Sequence, residues 1–174
     1  PELFASVAER RADEPAQEFK GGIYDRSLAP AVVPEAPDGE YATLTYAEMH
    51  EVVEGLAAGF RALGVDPDDR VGLFASTRME WAQVDFALQA AGGIVTTLFT
   101  ESSPSQVEYL LSDSGATGIV VENQELLERV LEVKDDVRVE FVVLMDDEPI
   151  AETHDAILTL ADVYERGRAA LPDS

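Results

Sequence analysis

A serine-rich stretch at residues 99–116, FTESSPSQVEYLLSDSGA, is the first candidate for a functional site. It holds five serines and three acidic residues, and hydroxyl groups in a loop after a strand could contact a ligand. The order of residues favours a helix instead. Ser103 fits the N-cap and Gln106 completes a capping box, while Pro104 fits the first helical position and Gly115 can end the helix. We therefore interpret most of these serines as helix-capping residues, with ligand contact as the alternative.

Two histidines, His50 and His154, could serve as a base or a metal ligand. A catalytic triad needs a nucleophile, a base and an acid that converge in space, and neither histidine follows a predicted strand. We expect His50 on a helix surface and His154 in a solvated loop. That loop, residues 146–155, has five acidic residues but lacks the spacing and the glycine of an EF-hand. The sequence thus predicts no catalytic, cofactor-binding or metal-binding residue.

Several common catalytic and nucleotide-binding motifs are absent from the sequence. There is no G-x-x-x-x-G-K-[ST] phosphate loop, no G-x-G-x-x-G and no G-x-S-x-G. The pair Gly92 and Gly93 precedes a predicted strand, so we expect it to end a helix. There is no cysteine, which excludes disulfides, thiol nucleophiles and thiolate metal sites.

The net charge of −23 is the strongest signal in the composition, with 12 basic residues against 35 acidic ones. Such a surface repels nucleic acid and anionic membranes, because both are bound through basic side chains. We hypothesise a halophilic source, in which high salt screens the self-repulsion, and an ordinary acidic protein is the alternative. No run approaches the roughly 18 apolar residues of a membrane span. The sequence therefore indicates a soluble, intracellular protein.

Hydrophobic periodicity predicts alternating strands and helices after residue 44. The clearest helix follows a capping box of Thr45 and Glu48 and ends at Gly64. Strands predicted near residues 71, 94, 118 and 140 start roughly 22 to 24 residues apart, so each interval accommodates one crossover helix. The remaining helices are predicted over residues 81–91, 104–114 and 124–133, and from Thr159 to about Gly167.

These elements predict an α/β fold with a mainly parallel sheet and helices on both faces. We divide the chain into residues 1–43, which contain an N-terminal helix, an irregular or strand segment and a proline-rich surface loop at 27–40, and an α/β subdomain at 44–174. Ligands of such sheets bind outside the carboxyl ends of the strands. Two of these ends are mainly acidic, so the edge could hardly bind a nucleoside triphosphate without basic groups from elsewhere. The predicted strand ends are residues 76–77, 99–102, 122–123 and 145–147.

Residues 44–123 contain a series of short landmarks in a fixed order: TYAE at 45–48, GVDPDDRV at 64–71, EW at 80–81, AAG at 90–92 and DSGA at 113–116. In their order and spacing these landmarks resemble the adenylate-forming enzymes, the superfamily of acyl-CoA synthetases and luciferases. Within it, TRMEW at 77–81 and SSPSQVEYLLSDSG at 102–115 are most similar to the long-chain fatty acyl-CoA synthetases. Thr97 and Glu101 depart from that pattern, where proline and threonine are usual.

The resemblance implies that the chain is the opening part of the large N-terminal domain of a fatty-acid–CoA ligase. Such an enzyme activates a fatty acid with ATP and Mg²⁺ to acyl-AMP and passes the acyl group to coenzyme A. The family uses a Ser/Thr/Gly-rich phosphate loop ending in Pro-Lys-Gly and a lysine on a mobile C-terminal domain, and neither motif occurs here. We therefore expect this fragment to bind no cofactor and to be inactive. Its expected partner is the remainder of its own polypeptide.

Other interpretations stay open at this point. The chain could come from another acyl- or aryl-acid adenylating enzyme, or be a stand-alone, non-catalytic α/β binding module. Trp81 and Phe99 are candidates for the acyl channel, with ordinary core packing favoured for each. An incomplete subdomain would expose an apolar face, which predicts self-association. The full-length enzyme is expected in the cytoplasm, either free or peripherally attached to a membrane.

Overall fold

The computed structural model describes residues 2–28, 32–147 and 157–171. No helix within these ranges is both long and apolar enough to cross a membrane. The helices are α1 (Glu2–Arg10), α2 (Tyr46–Ala62), α3 (Met79–Ala91), α4 (Pro104–Ser114), α5 (Gln124–Leu131) and α6 (Leu160–Ala170), with one 3-10 turn at Lys134–Asp136. The strands are β1 (Pro15–Lys20), β2 (Tyr41–Thr45), β3 (Arg70–Phe74), β4 (Ile94–Leu98), β5 (Gly118–Val121), β6 (Phe141–Leu144) and β7 (Ile157–Thr159).

Five of these strands form a parallel sheet in the order β4-β3-β5-β6-β7. The residues of β5 and β6 are buried along their whole length, as expected for central strands of a sheet that is covered on both faces. The four predicted strands are confirmed, with ends that shift by one residue at most. The sequence does not predict β7, because this strand has only three residues and its last residue, Thr159, already caps the following helix.

Side chains of the sheet alternate between two faces and meet different helices on each. Val71 and Leu73 of β3 belong to the core formed with α2, α3 and α6, whereas Phe74 belongs to the core formed with α4 and α5. We refer to these as the larger and the smaller core. The predicted α/β fold, with a mainly parallel sheet and helices on both faces, is therefore confirmed.

The N-terminal residues add α1 and an antiparallel pair of strands, β1 with β2, beside the sheet. The Phe4 ring of α1 stacks on Phe86 of α3 with 4.7 Å between the ring centroids. The described part of the proline-rich loop is irregular, as predicted, but it is not only a surface loop. Leu28 and Val33 are buried, because they complete the larger core. The boundary between residues 43 and 44 falls within β2, and the division into two units stays a prediction.

Two predicted capping boxes form as expected. The Thr45 N–H donates to Glu48 Oε2 at 2.7 Å, and the Glu48 N–H donates to Thr45 Oγ1 at 3.3 Å. The same reciprocal pair joins Thr159 and Asp162, at 2.8 and 3.2 Å. These bonds satisfy N–H groups that a helix start leaves without partners. The helix that begins at Thr159 continues beyond Gly167, where the sequence predicts its end.

The serine-rich stretch forms α4, and its capping residues act as predicted. The Ser103 N–H donates to Gln106 Oε1 at 2.9 Å, and Pro104 is the first helical residue. Gly115 follows the helix with a φ of +68°, and Gly92 ends α3 with a φ of +104°. Both values favour glycine, so these helix ends are encoded locally.

The backbones of α2 and α6 are in direct contact through three glycines, which we call the glycine seam. A Cβ atom at Gly167 would lie 1.8 Å from the carbonyl oxygen of Gly55, and one at Gly59 would lie 2.0 Å from that of Val163. A Cβ atom at Gly55 would meet the Tyr164 ring at 2.3 Å. Glycine inside a helix costs about 1 kcal/mol relative to alanine. The close approach of the two helices explains why glycine occurs at these positions.

Candidate functional site

The sheet has a topological switch point at the carboxyl end of β3. The connection from β3 runs to β4 through α3 on the face of the larger core, whereas the connection from its other neighbour, β5, runs to β6 through α5 on the opposite face. Such a pair of strands opens a crevice outside their carboxyl ends, which is where ligands bind in open α/β sheets. A groove of about 560 Å³ lies beside this crevice, between the carboxyl ends of β3 and β4, and we call it the switch-point groove. It is lined by Ala75, Ser76, Thr77, Trp81, Thr97, Leu98, Phe99 and Thr100.

Two aromatic side chains border the switch-point groove. Phe99 is 84% exposed, so the expectation that it packs in the core is wrong. It lies just after β4, an edge strand, where no described element covers it. Trp81 is half-buried and packs against the larger core, as expected, while also lining the groove. A role for either ring in an acyl channel stays a prediction.

Ser76, at the floor of this region, is held by a glutamate from the neighbouring strand. The Ser76 N–H donates to Glu122 Oε2 at 2.7 Å, and the Ser76 hydroxyl donates to Glu122 Oε1 at 2.8 Å. Glu122 directly follows β5 and is buried. One carboxylate therefore ties the carboxyl end of β3 to that of β5.

Arg78 occupies the centre of a buried charged cluster beside the groove. Its Nε donates to Glu80 Oε2 at 2.8 Å, and its Nη1 donates to Asp146 Oδ1 at 2.7 Å. The same Nη1 lies 3.9 Å from Glu122 Oε1. Burial by itself lowers the pKa of Arg78, but the hydrogen bonds and charges of Glu80 and Asp146 outweigh it and raise that pKa above its ordinary value. The charged guanidinium therefore joins the ends of β3, β5 and β6.

Residues 24–28, which we call the N-terminal strap, cover this cluster. Arg26 Nε lies 2.7 Å from Glu80 Oε1, in an ion pair whose N–H direction departs from hydrogen-bond geometry. The Tyr24 ring lies over Arg78, with 4.0 Å between the guanidinium carbon and the ring centroid. That separation is well within the range of a cation–π contact.

Backbone hydrogen bonds fix the strap to the sheet. The Ser27 N–H donates to the Met145 carbonyl oxygen at 3.2 Å, and the Asp147 N–H donates to the Asp25 carbonyl oxygen at 2.7 Å. The strap and the charged cluster thus fill the crevice on the β5 side of β3. The switch-point groove, on the β4 side of β3, is open along the same edge of the sheet.

The buried charged cluster has five members, which we call the edge cluster: Arg26, Arg78, Glu80, Glu122 and Asp146. Their side chains carry two positive and three negative charges. Each keeps at most 11% of its side-chain surface exposed. The prediction of an acidic edge is therefore confirmed, but its carboxylates are paired with arginines. Arg78 Nη2 has no hydrogen-bond partner among the described residues, but it is shielded from solvent like the rest of the cluster, so it is not accessible to a phosphate group.

Of the two histidines, the structure describes only His50. His50 lies on α2, as predicted, where its Nδ1 is 3.8 Å from Glu54 Oε2. His154 lies outside the described residues, as does most of the acidic segment 146–155. Asp146 is not solvated as expected, because it is buried against Arg78. Within the described ranges no group of three or more potential ligands could hold a metal ion.

Sequence reasoning named the strand ends that converge at this edge but missed Arg78 and Glu80. A signal was available, since both charges fall beside Met79 and Trp81, where the sequence passes from a strand into a largely buried helix. Charged residues at buried positions are rare unless they are paired. Nothing in the sequence indicates that Arg26, more than 50 residues earlier, supplies a second positive charge.

Comparison with known proteins connects this architecture to a family. A family profile described as "AMP-binding enzyme" matches residues 6–169. The long-chain-fatty-acid–CoA ligase FadD15 of Mycobacterium bovis is 36% identical over 96 residues, which are 55% of this chain and 16% of the relative. The long-chain-fatty-acid–CoA ligase ACSBG1 of Rattus norvegicus is 29% identical over 125 residues, which are 72% of this chain and 17% of the relative. The chain thus spans about one sixth of the length of these relatives.

Solved structures share the fold at low sequence identity. A long-chain-fatty-acid–CoA ligase, FadD1 of Archaeoglobus fulgidus, superposes with a TM-score of 0.74 at 20% identity, over 95% of this chain and 29% of that one. The anthranilate CoA ligase AuaEII, in complex with anthranoyl-AMP, gives a TM-score of 0.73 at 20% identity, over 94% and 27%. These values support the same α/β architecture in both.

Proposed function

The chain belongs to the AMP-binding enzyme family, and we propose that it forms part of a long-chain fatty-acid–CoA ligase. The enzyme would activate a fatty acid with ATP and Mg²⁺ to acyl-AMP and transfer the acyl group to coenzyme A. The observation that carries this proposal is the sequence similarity to FadD15, a ligase of long-chain fatty acids. The second relative, ACSBG1, covers more of the chain and carries the same substrate class in its name.

The residues described here do not fit the phosphates of ATP or a Mg²⁺ ion. Arg26 and Arg78 are buried in ion pairs, and the hydroxyl of Ser76 donates to Glu122. Phosphate sites need free donors or cations, and the edge cluster has an excess of carboxylates. We therefore derive no chemical step from these side chains, and we propose that this chain alone binds no cofactor.

The proposed role of the chain is to frame sites whose binding groups come from other parts of the polypeptide. Arg78 and Glu122 hold the carboxyl ends of β3, β5 and β6 together. Groups that are fixed by buried hydrogen bonds do not have to reorganise when a substrate binds. A rigid sheet edge of this kind suits a scaffold on which substrates are oriented.

The test is ATP–pyrophosphate exchange by the full-length gene product, measured with fatty acids of graded length and with aromatic acids. We expect exchange with long-chain fatty acids and none with the isolated 174-residue chain. Exchange with aromatic acids only would favour another adenylating enzyme, because the fold is equally close to an anthranilate ligase. Exchange by the isolated chain would contradict the scaffold role.

A stand-alone binding module is the alternative from another class. The reading frame of the gene separates the two proposals: continuation into a Ser/Thr/Gly-rich loop with Pro-Lys-Gly supports the ligase, and a stop codon after residue 174 supports the module. We also propose a cytoplasmic location for the full-length protein, with peripheral membrane attachment as the variant. Cell fractionation, with a high-salt wash of the membrane fraction, would distinguish them.

A further inference from the structure

The hydroxyl proton of Ser76 is already used inside the protein, and this fixes what the residue can offer a ligand. Its O–H donates to Glu122 Oε1 at 2.8 Å. A serine hydroxyl has one proton and two lone pairs, and an ionised carboxylate can only accept. Any ligand atom that bonds Ser76 Oγ in the switch-point groove must therefore be a donor, such as an amide N–H or a hydroxyl.

The charge beside the groove also favours a ligand group that donates hydrogen bonds over an anion. Glu122 borders Ser76 directly, and the nearest cation, Arg78 Nη1, is 3.9 Å from Glu122 Oε1 and donates to Asp146 instead. With two positive and three negative side chains, the edge cluster disfavours an anion in the groove. The threonine hydroxyls that line the groove can rotate to serve either a donor or an acceptor. Ser76 and Glu122 therefore determine that the ligand group has to donate a hydrogen bond rather than accept one.

The rest of the groove provides apolar surface. Leu98, at the end of β4, and the rings of Trp81 and Phe99 line it together with the hydroxyls. Phe99 presents most of its ring to solvent, so a ligand could cover it without displacing another part of the chain. Aromatic rings gain free energy when another flat apolar group stacks on them. The occupant that fits has an apolar part and an adjacent hydrogen-bond donor.

We propose that the switch-point groove binds an uncharged, amide- or hydroxyl-bearing ligand group, and that Glu122 sets this preference by accepting the proton of Ser76. Carboxylates and phosphates are excluded from the same position, because Ser76 cannot donate to them. The proposal concerns this chain alone and does not depend on the ligase reaction. Glu122 acts through Ser76 and is a positioning residue.

Benzamide and benzoate are suitable probes, since they have the same shape and differ in whether the polar group donates or only accepts. Each is titrated into the ¹⁵N-labelled chain, and the backbone resonances of Ser76, Thr77 and Thr97 are followed by NMR. We expect benzamide to bind on the order of tenfold more tightly than benzoate, the effect of one hydrogen bond made or left unmade. Equal or tighter binding of benzoate, or no shift with benzamide up to its solubility limit, overturns the proposal.

Variants test the role of Glu122. In Glu122→Gln the carboxamide oxygen can accept from the Ser76 N–H while its NH₂ group donates to Ser76 Oγ, which frees the hydroxyl proton for the ligand. The benzamide-to-benzoate affinity ratio should then fall to about one or below. Ser76→Ala removes the acceptor but keeps the backbone bond to Glu122, and the ratio should fall several-fold even if Glu122→Gln does not fold.

Ser112→Ala is the matched control, because Ser112 is exposed on α4 and does not line the groove. Its affinity ratio should equal that of the unaltered chain. A ratio that is unchanged in Ser76→Ala would contradict the proposal, since Ser76 would then not contact the ligand. An unchanged ratio in a folded Glu122→Gln variant would contradict the positioning role.

Discussion

Replacing Gly167 by alanine tests the close approach of α2 and α6 at the glycine seam. The added Cβ atom would lie 1.8 Å from the Gly55 carbonyl oxygen and 2.6 Å from the Gly59 nitrogen. Ordinary van der Waals contact begins at 3.4 Å, so the two helices would have to separate by about 1.6 Å along the first direction. Both neighbours are backbone atoms, and no side-chain rotation can relieve the overlap.

Two opposing effects determine the change in stability. Alanine is favoured over glycine inside a helix by about 1 kcal/mol. Overpacking a well-packed interface costs about 1–3 kcal/mol, and the upper end applies here because whole helices must move. We therefore expect Gly167→Ala to lower the free energy of unfolding by about 2 kcal/mol, which is roughly 4–8 °C in Tm for a chain of this size. Helix propensity alone predicts a change of the opposite sign.

The assay is urea unfolding at fixed salt, followed by far-UV circular dichroism and by the fluorescence of Trp81, the only tryptophan. Ala169→Gly, at an exposed position of the same helix, is the matched control. This substitution lowers the helix propensity of α6 without affecting its contact with α2, so it should lower the free energy of unfolding by at most about 1 kcal/mol. If Gly167→Ala were as stable as the unaltered chain, or more stable, the close approach of the helices would be refuted.

Four further predictions concern the helix cap, the edge cluster, the salt response and self-association. Thr45→Ala removes the N-cap acceptor of α2 and should cost about 1 kcal/mol in urea unfolding, with an unchanged m-value. Arg78→Met removes one of the two cations that balance three buried carboxylates and should cost about 3–5 kcal/mol, whereas Arg70→Met, at an exposed position, should change the same measurement little. Dialysis into low salt should reduce the folded circular dichroism signal if the charge of −23 reflects a halophilic source; a stable fold in low salt would count against it. Sedimentation velocity should show concentration-dependent association through an exposed apolar face, and a monomer at all concentrations would contradict this.

The elements of the sheet were predictable because their signals are local. Residues 118–121 form a continuous apolar run, and Thr45 with Glu48 places a helix start within one residue. Such signals fix the length of each element and the need for crossover helices, and hence the parallel sheet. The strand β7 lacks these signals, since its three residues are defined by hydrogen bonding to β6 rather than by their own pattern.

The position of the candidate site at the carboxyl ends of the strands could be predicted, but the pairing of its charged side chains could not. The general rule for open α/β sheets identifies the carboxyl ends of the strands, and Ser76, Glu122 and Asp146 do meet there. The pairing of Glu80 with Arg26 depends on the path of the strap, which no periodic pattern encodes. The exposure of Phe99 follows from the position of β4 at the edge of the sheet, and the order of the strands is not given by the local pattern around Phe99.

The strap reaches its partner across a sequence separation of 118 residues, from Ser27 to Met145. A ribosome adds about 5–20 residues per second, so the strap is synthesised roughly 6 to 24 s before the residues that will hold it. Arg78 is made 68 residues before Asp146, so it lacks this partner for roughly 3 to 14 s at the same rate. The nascent chain can pair β3 with β4 early, but the β6 side of the sheet closes late, and chaperone contact or ribosome pausing before Asp146 would act on a chain with an open, charged flank.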